Sequence, residues 1–231
     1  MATYAAGDLT KIKLLETSKK VFYEKGFHDA TMKEVCEIAG IKQSVFYYHY
    51  KDKNEMAAKV YTDFGERHMG AILDLLRKDY PDIDITMNNC ISMALFFLNS
   101  FDDMNLTRFW AQMYIDNQPS QLEWYRHRYT QMYKKSKLPN TPEDFDFFLI
   151  ACTSVNGPLM AGYYNKIIDA DPERIVRFKV EHTLRQLRYD EKEIQIKADK
   201  IMKIAKSLPI TAGKDFDIFV NGVKSETYLK R

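Results

Sequence analysis

Residues Thr31 to Lys53 read TMKEVCEIAGIKQSVFYYHYKDK, and the punctuation of this stretch decides the fold class. Thr31 followed three residues later by Glu34 predicts a capping box opening a short helix, Met32 to Ala39. Gly40 ends that helix, and a second short helix is expected from about Lys42 to His49. Two short helices joined by a tight glycine turn have the form of a helix-turn-helix. In such a unit the second helix presents its side chains to base edges in the DNA major groove, while flanking donors grip phosphates. Gln43 has the amide to pair bidentately with adenine, Ser44 can donate or accept, and Val45 can meet a thymine methyl. Tyr47, Tyr48, His49 and Lys53 carry donors suited to phosphate oxygens. Val35, Ile38, Phe46 and Tyr50 have the apolar bulk to hold the unit together. On chemistry alone a second reading stands beside this one, because aromatic-rich short helices also fill cores and helix–glycine–helix turns recur in all-α proteins.

Upstream, Ile12, Leu15 and Val21/Phe22 fall near helical spacing between Leu9 and Lys25, and Gly26 is a stop signal. Downstream, Met56, Val60, Phe64, Ile72 and Leu75/Leu76 predict one long helix from Lys53 to Arg77, roughly 35 Å in length. Further helices are expected near 85–101, 105–116, 120–136, 142–169 and 172–190, divided by Pro119, Pro139, Pro142 and Pro172. Asn156-Gly157-Pro158 should kink the fourth of these, since Pro158 lacks a donor and crowds the preceding turn. Ile194, Ala198, Ile201, Ala205 and Leu208 mark a last amphipathic helix, stopped by Pro209. Beyond it, Asn221-Gly222 sits between two β-prone runs, Phe216–Val220 and Val223–Tyr228, which predicts a hairpin packed on the body or on a partner subunit. The expected architecture is all-α: an N-terminal three-helix helix-turn-helix domain (1–55), a larger helical body (56–190), and a C-terminal helix with a β-hairpin (191–231).

The 231 residues are 45% hydrophobic and 29% charged, enough apolar material for a sizeable core and too much for disorder. The start of the chain lacks the apolar core of a signal peptide, and no apolar run approaches 18 residues, so neither secretion nor a membrane partner is expected. Three cysteines (Cys36, Cys90, Cys152) at wide spacing suit a reducing compartment, making cytoplasmic the expectation. The net charge is only +2. Of the 34 Lys+Arg and 32 Asp+Glu, 10 and 8 lie in residues 1–60, so the excess is N-terminal, and Ile38 to Lys51 holds no carboxylate. That is a weak mark of an anion-facing surface. Catalysis and cofactors are not expected: the five His lack metal-ligand spacing, and neither a nucleophile elbow nor a glycine-rich phosphate loop occurs.

The stretch Lys33 to Met56 resembles the DNA-binding segment of the TetR family of bacterial transcriptional regulators. The resemblance rests on the Ile-Ala-Gly-Ile turn at Ile38–Ile41, the Tyr-Tyr-His-Tyr signature at Tyr47–Tyr50, Lys53 with Met56 after it, and the upstream Phe22, Gly26-Phe27 and Thr31. It covers about residues 9–60; the remainder agrees only as a helical body of suitable length. By position, the resemblance implies phosphate contacts at Tyr47, His49 and Lys53, a backbone contact at Thr31, and base contacts at Gln43, Ser44 and Val45. Lys42 stands where the family has a Ser or Thr cap, trading a cap for a charge that can face DNA. Ser44 replaces a common Gly, which puts close backbone approach to DNA in doubt there.

The resemblance further implies a homodimer on a near-palindromic double-stranded DNA operator, its subunits joined by a four-helix bundle from 142–169 and 172–190. Phe148, Cys152, Val155, Leu159, Tyr163, Ile175 and Phe178 form a stripe that suits either that interface or ordinary core. It also implies a repressor released by a small-molecule effector held among the middle helices. The large side chains there suit a mostly apolar molecule: Phe97, Trp110, Met113 and Tyr114, with Asn156 and Gln112 as polar groups. Asp102, Asp103 or Asp116 would face a cationic ligand if they lay inside, though a solvated face is the plainer home. In this picture the long helix from Lys53 carries the change and Gly157-Pro158 is a hinge. The competing reading keeps the dimeric helix-turn-helix but has the body bind another protein.

Overall fold

A computed structural model describes residues 6–116, 118–136, 138 and 141–225. It is helical almost throughout, with a small three-stranded sheet at its C-terminal end. α1 (Ala6–Asp29) buries Leu14, Leu15, Val21 and Phe22. Its regular part stops where expected, at Gly26, whose φ of 78° and ψ of −178° interrupt the helix before a last turn to Asp29. α2 (Met32–Ala39) begins at Thr31, whose Oγ1 accepts from Glu34 N–H. The reciprocal half of the capping box is not drawn, because the Glu34 carboxylate pairs instead with Lys25 Nζ at 2.7 Å. Gly40 at φ 62° closes α2, with Ile41 N–H returning to Cys36 O. α3 (Gln43–His49) then starts from Lys42 with no side-chain cap. Phe46, Val35 and Tyr50 are buried between these helices, but Ile38 is 60% exposed. The expectation for Ile38 is corrected by helix geometry: Met32, Val35, Cys36 and Ala39 share the inner face of α2, and Ile38 points away from it.

α4 (Lys53–Asp79) is capped by Asp52 and joins this unit to the body. At the body's centre lies α5 (Ile85–Phe101), apolar on nearly every side, surrounded by α4, α6 (Met104–Asp116), α7 (Gln118–Lys134), α10 (Pro172–Gln186) and α11 (Glu191–Ser207). The predicted helix over 142–169 is two helices, α8 (Pro142–Thr153) and α9 (Asn156–Tyr164). The break falls at Ser154–Val155, just ahead of the Asn-Gly-Pro triplet. Pro158 thereby lands in the first turn of α9, where few N–H groups have an intrahelical acceptor, and its missing donor costs little. Gly157 lets α9 lie close on α6, since a Cβ there would come within 3.2 Å of Tyr114 Cβ. By length and composition Pro142–Tyr164 would suffice to cross a membrane; here it is divided, and buries Phe148, Leu149, Cys152 and Met160 in the core.

The C-terminal segment holds one strand more than its sequence suggests. β1 (Ile210–Gly213) follows Pro209 and pairs antiparallel with β2 (Asp217–Val220), in register Ile210 with Val220 and Gly213 with Asp217. β2 turns through Asn221 (φ 52°) and Gly222 (φ 77°) into β3 (Val223–Lys224). These two positive φ values are those of the expected tight hairpin. Of its predicted second strand, Glu226–Tyr228 lie outside the described residues. Between β1 and β2 a 3-10 turn, Lys214–Phe216, drives Phe216 to full burial against Phe109 (4.8 Å between ring centroids), Trp110 (5.3 Å), Phe64 and Tyr23 (6.3 Å each). Burying that ring contributes about 2–3 kcal/mol and pins the sheet to α1, α4 and α6 at once.

Candidate nucleic-acid interface and internal cavity

α3 has one buried face and one bare face. Phe46 is fully buried and Tyr50 nearly so, which fixes the helix on α2 and the start of α4. The opposite face carries Gln43 and Ser44 with Tyr47 and Tyr48 one turn later, all exposed; Tyr48 is 84% exposed. Lys42 is exposed at the N-terminal end, Val45 is half-buried at the edge, and Lys51 is exposed beyond the C-terminal end. Seven residues long, the helix thus offers amide, hydroxyl and phenol groups on a surface with no carboxylate of its own. Thr31 is exposed beside it, its Oγ1 accepting from Glu34 N–H and its own O–H left to donate.

The other two predicted residues sit differently. His49 is half-buried and lines a groove between α1 and α4, together with Lys11, Glu55 and Lys59. Lys53 points into its own domain. Its ammonium donates to three carbonyls, Phe27 O (2.8 Å), His28 O (3.0 Å) and Ala30 O (3.2 Å), and lies 4.7 Å from the Phe27 ring centre. All three of its protons are spoken for, and burial lowers its pKa. Lys53 therefore fastens the last turn of α1 rather than projecting from the surface.

The body grips that same turn. Gln112 Oε1, on α6, accepts from Phe27 N–H (2.7 Å) and His28 N–H (3.1 Å). Arg108 Nη2 donates to Tyr23 O (3.1 Å) and Glu24 O (2.6 Å). Asp116 meets His28 Nε2 at 2.9 Å, and Asp103 accepts from Tyr23 O–H at 2.7 Å. Gly26 is required here: its φ of 78° disfavours a side chain, and a Cβ would meet Gln112 Oε1 at 2.6 Å. Gln112, Asp103 and Asp116, considered above for a ligand pocket, thus face the helix-turn-helix unit, because the outer side of α6 lies along α1. No periodicity could have revealed this clamp, since its partners are some 80 residues apart in sequence.

Deeper along α1 and α4 lies a charged cluster. Asp63 Oδ2 receives Lys19 Nζ at 2.7 Å and Arg67 at 2.9–3.0 Å, and Arg67 Nη2 also donates to Phe216 O at 2.8 Å. All three side chains are buried, which joins α1, α4 and the C-terminal turn in one ionic contact.

A small cavity opens among α4, α5 and α7, lined by Tyr61, His68, Asn89, Ser92, Phe96, Phe97, Trp124, Tyr125, Arg128 and Tyr129 among others. Of the predicted ligand residues only Phe97 lines it. Trp110, Met113, Tyr114 and Asn156 are buried behind, with Tyr114 Oη and Asn156 Nδ2 each 3.1 Å from Tyr125 Oη. The unfilled space is about 40 Å³, room for a water or two, whereas ligand pockets run to about 300 Å³ and more. A bound molecule would have to displace the flexible Met69, Met93 and Arg128 side chains that border it. His68 is neutral there: burial and the charges of Arg128 and Arg67 push its pKa down to about 3. Burial raises the phenols of Tyr61, Tyr114 and Tyr129 well above their usual value.

On the far side of the body, Phe148, Cys152 and Ile175 from the expected interface stripe are buried within the chain's own core. The outward positions are Phe147 (68% exposed), Ile150 (50%) and Phe178 (49%). On α8 the exposed apolar positions fall one residue before Phe148 and two before Cys152, because α8 is apolar on both faces and sequence alone does not say which face turns inward.

Residues 14–60 match the family model of bacterial regulatory proteins, tetR family. An uncharacterized HTH-type transcriptional regulator of Bacillus subtilis (strain 168), YdgC, is 36% identical over 97 residues, covering 42% of this chain and 50% of that protein. The HTH-type regulator TtgR of Pseudomonas putida is 25% identical over 59 residues, 26% of this chain and 28% of TtgR. The chain therefore spans half or less of the length of these curated relatives. Among solved structures, RolR in complex with resorcinol superposes with a TM-score of 0.54 at 16% identity, over 87% of this chain and 95% of that one. TylP, a TetR regulator from Streptomyces fradiae, superposes at 0.50 and 15% identity, over 86% and 92%. These two show the fold, a helix-turn-helix head on a helical body. Residues 14–60 thus carry a helix-turn-helix of the kind described by the tetR family of bacterial regulatory proteins, set on a helical body with the fold seen in RolR and TylP.

Proposed function

We propose that this chain is a transcriptional repressor that binds a near-palindromic operator as a homodimer and is released by a mostly apolar small molecule. The observation that carries the reading is the bare face of α3: Gln43, Ser44, Tyr47 and Tyr48 exposed on a short helix that Phe46 and Tyr50 lock in place. Gln43, Ser44 and the edge of Val45 read bases, while Tyr47, Tyr48, Lys42 and Thr31 hold phosphates. His49 supports the helix from its flank, and Lys53 sets its position by fastening α1. Residues 1–55 serve as the reading head, 56–190 as sensor and dimer body, and 191–231 as a buttress on both.

The exposed Phe147, Ile150 and Phe178 support a dimer through α8 and α10, since a helix apolar on both faces calls for cover on both. Two heads about 34–36 Å apart then meet successive major grooves. Coupling runs through α6, which backs the cavity with Trp110 and Tyr114 and holds α1 with Arg108 and Gln112. A molecule that enters the cavity only when α6 shifts favours the conformation with misplaced heads, to the extent of its differential affinity.

The test is a mobility shift of the purified protein on DNA upstream of its own gene, at two salt concentrations with competitor. Specific, salt-sensitive retardation is expected. Tyr47→Phe should weaken binding on all sequences alike, whereas Gln43→Ala should alter base preference at one position of each half-site. A Gln43→Ala protein with unchanged preference at every position refutes the assignment of α3.

A further inference from the structure

The cavity's polar lining is one-sided. Neither Asp nor Glu borders it, and its one formal charge is the Arg128 guanidinium. Arg128 Nη2 touches Asn89 Oδ1 at 3.2 Å and abuts Met69 Sδ, and the guanidinium stands 4.9 Å from the Trp124 ring centre. Among the described residues Arg128 has no carboxylate partner; Glu66 is near enough for its charge to be felt but makes no ion pair with it. Two further lining residues carry buried donors without acceptors, Asn89 Nδ2 and Trp124 Nε1. Ser92 adds a hydroxyl, and apart from Gly65 the remaining lining is aromatic or methionine. A half-buried cation and two orphaned N–H donors on residues that line one apolar cavity are the complement of an acceptor-only group. A neutral apolar guest would leave the two donors without acceptors and the guanidinium without a counter-charge, which is costly in a dry site.

We infer that the effector of this cavity is an organic acid with an apolar body, whose carboxylate pairs with Arg128 and takes hydrogen bonds from Asn89 and Trp124. The inference rests on the reading of the cavity as an effector site and narrows its ligand class. Desolvation, which lowers the pKa of Arg128, marks the same need for a counter-anion.

The test uses matched pairs on the full-length protein: phenylacetate, 4-phenylbutyrate, cyclohexylacetate and decanoate, each against its primary amide. Binding is read by calorimetry and by release of operator DNA. At least one acid should bind about tenfold or more tightly than its amide, the worth of a charge-assisted pair. Arg128→Gln should abolish that preference and Arg128→Lys should retain part of it. Amides binding as well as their acids, or a preference that survives in Arg128→Gln, overturns the inference even if the variant is poorly folded, because the first comparison needs only the unmodified protein. If amides or the corresponding amines bind and release the operator while the acids do not, the effector site stands and its anionic specificity falls. If no compound of either charge class binds or releases DNA, both fall.

Discussion

Asp63→Ala should be among the most damaging single substitutions in this protein. The carboxylate is the common partner of two buried cations, with side-chain exposures of 1% for Lys19, 1% for Arg67 and 5% for Asp63 itself. Its removal leaves both cations in the seam between α1 and α4. Among the described residues Lys19 then retains the half-exposed Glu16 at 2.8 Å, and Arg67 the Phe216 carbonyl at 2.8 Å. Breaking a buried pair by deleting one partner costs about 3–5 kcal/mol, and here two interactions break together while each cation keeps one acceptor, so about 4 kcal/mol is expected. With a urea dependence of about 2 kcal/mol per molar, the unfolding midpoint should fall by about 2 M. Urea titration followed by circular dichroism at fixed protein concentration reads this directly. The triple variant Lys19→Met, Asp63→Leu, Arg67→Met should recover most of the loss, because apolar replacement of a whole buried ionic cluster is neutral or stabilising. A loss below about 1 kcal/mol for Asp63→Ala, or a triple variant as unstable as the single one, would refute the claim that this carboxylate neutralises the seam.

Three other perturbations test the remaining contacts. Gly26→Ala should cost about 1–3 kcal/mol, from strain at positive φ and displacement of Gln112, and should weaken operator binding; thermal melting alongside a mobility shift checks both. His68 has a folded pKa of about 3 against an ordinary 6.5, so between those values the unfolded chain binds a proton that the folded one refuses. Its contribution is complete above pH 6.5 and is lost as pH falls toward 3, on the order of 5 kcal/mol; His68→Gln should flatten that part of the stability–pH curve relative to the unmodified protein. Lys179 is buried against the Cys152 carbonyl and Thr183, and burial lowers its pKa to about 8 from 10.5. The unfolded chain again holds the extra proton within that window, so the Lys179 contribution rises from pH 8 to 10.5, against the opposite contribution of the Cys90 and Cys152 thiols, which burial pushes up to about 12; Lys179→Met should make stability fall more steeply across that window, and an unchanged slope would disprove it.

Much of the helix-turn-helix was legible because its information is local. A cap at Thr31, a left-handed glycine at Gly40 and the alternation of buried Phe46 and Tyr50 with exposed Gln43 and Tyr47 follow from spacing within one or two turns. Asn221-Gly222 announced its hairpin for the same reason, since the two positive φ values are a property of that dipeptide's neighbourhood. Element boundaries at proline and glycine came within a few residues wherever one helix simply ended. They failed where packing chose between alternatives. The break at Ser154–Val155 preceded Pro158 because a proline is tolerated at a helix start, and β1 went unseen because Ile210–Gly213 is a strand only when β2 lies beside it.

Sequence by itself determined the likeness to tetR-type regulators over residues 14–60, the helix-turn-helix and the helical body, because caps, turns and apolar spacing within a few residues specify them. Tertiary structure alone decided which polar side chains face the cavity, which face a helix and which face solvent. Gln112, Asp103 and Asp116 turned out to clamp α1, Lys53 to fasten it, and Arg128, which no motif marks, to stand in the cavity. The physical reason is that a helix's period specifies an apolar stripe but not the neighbour that covers each remaining face. Those neighbours come from segments some 80 residues away, brought together by the packing of the whole core.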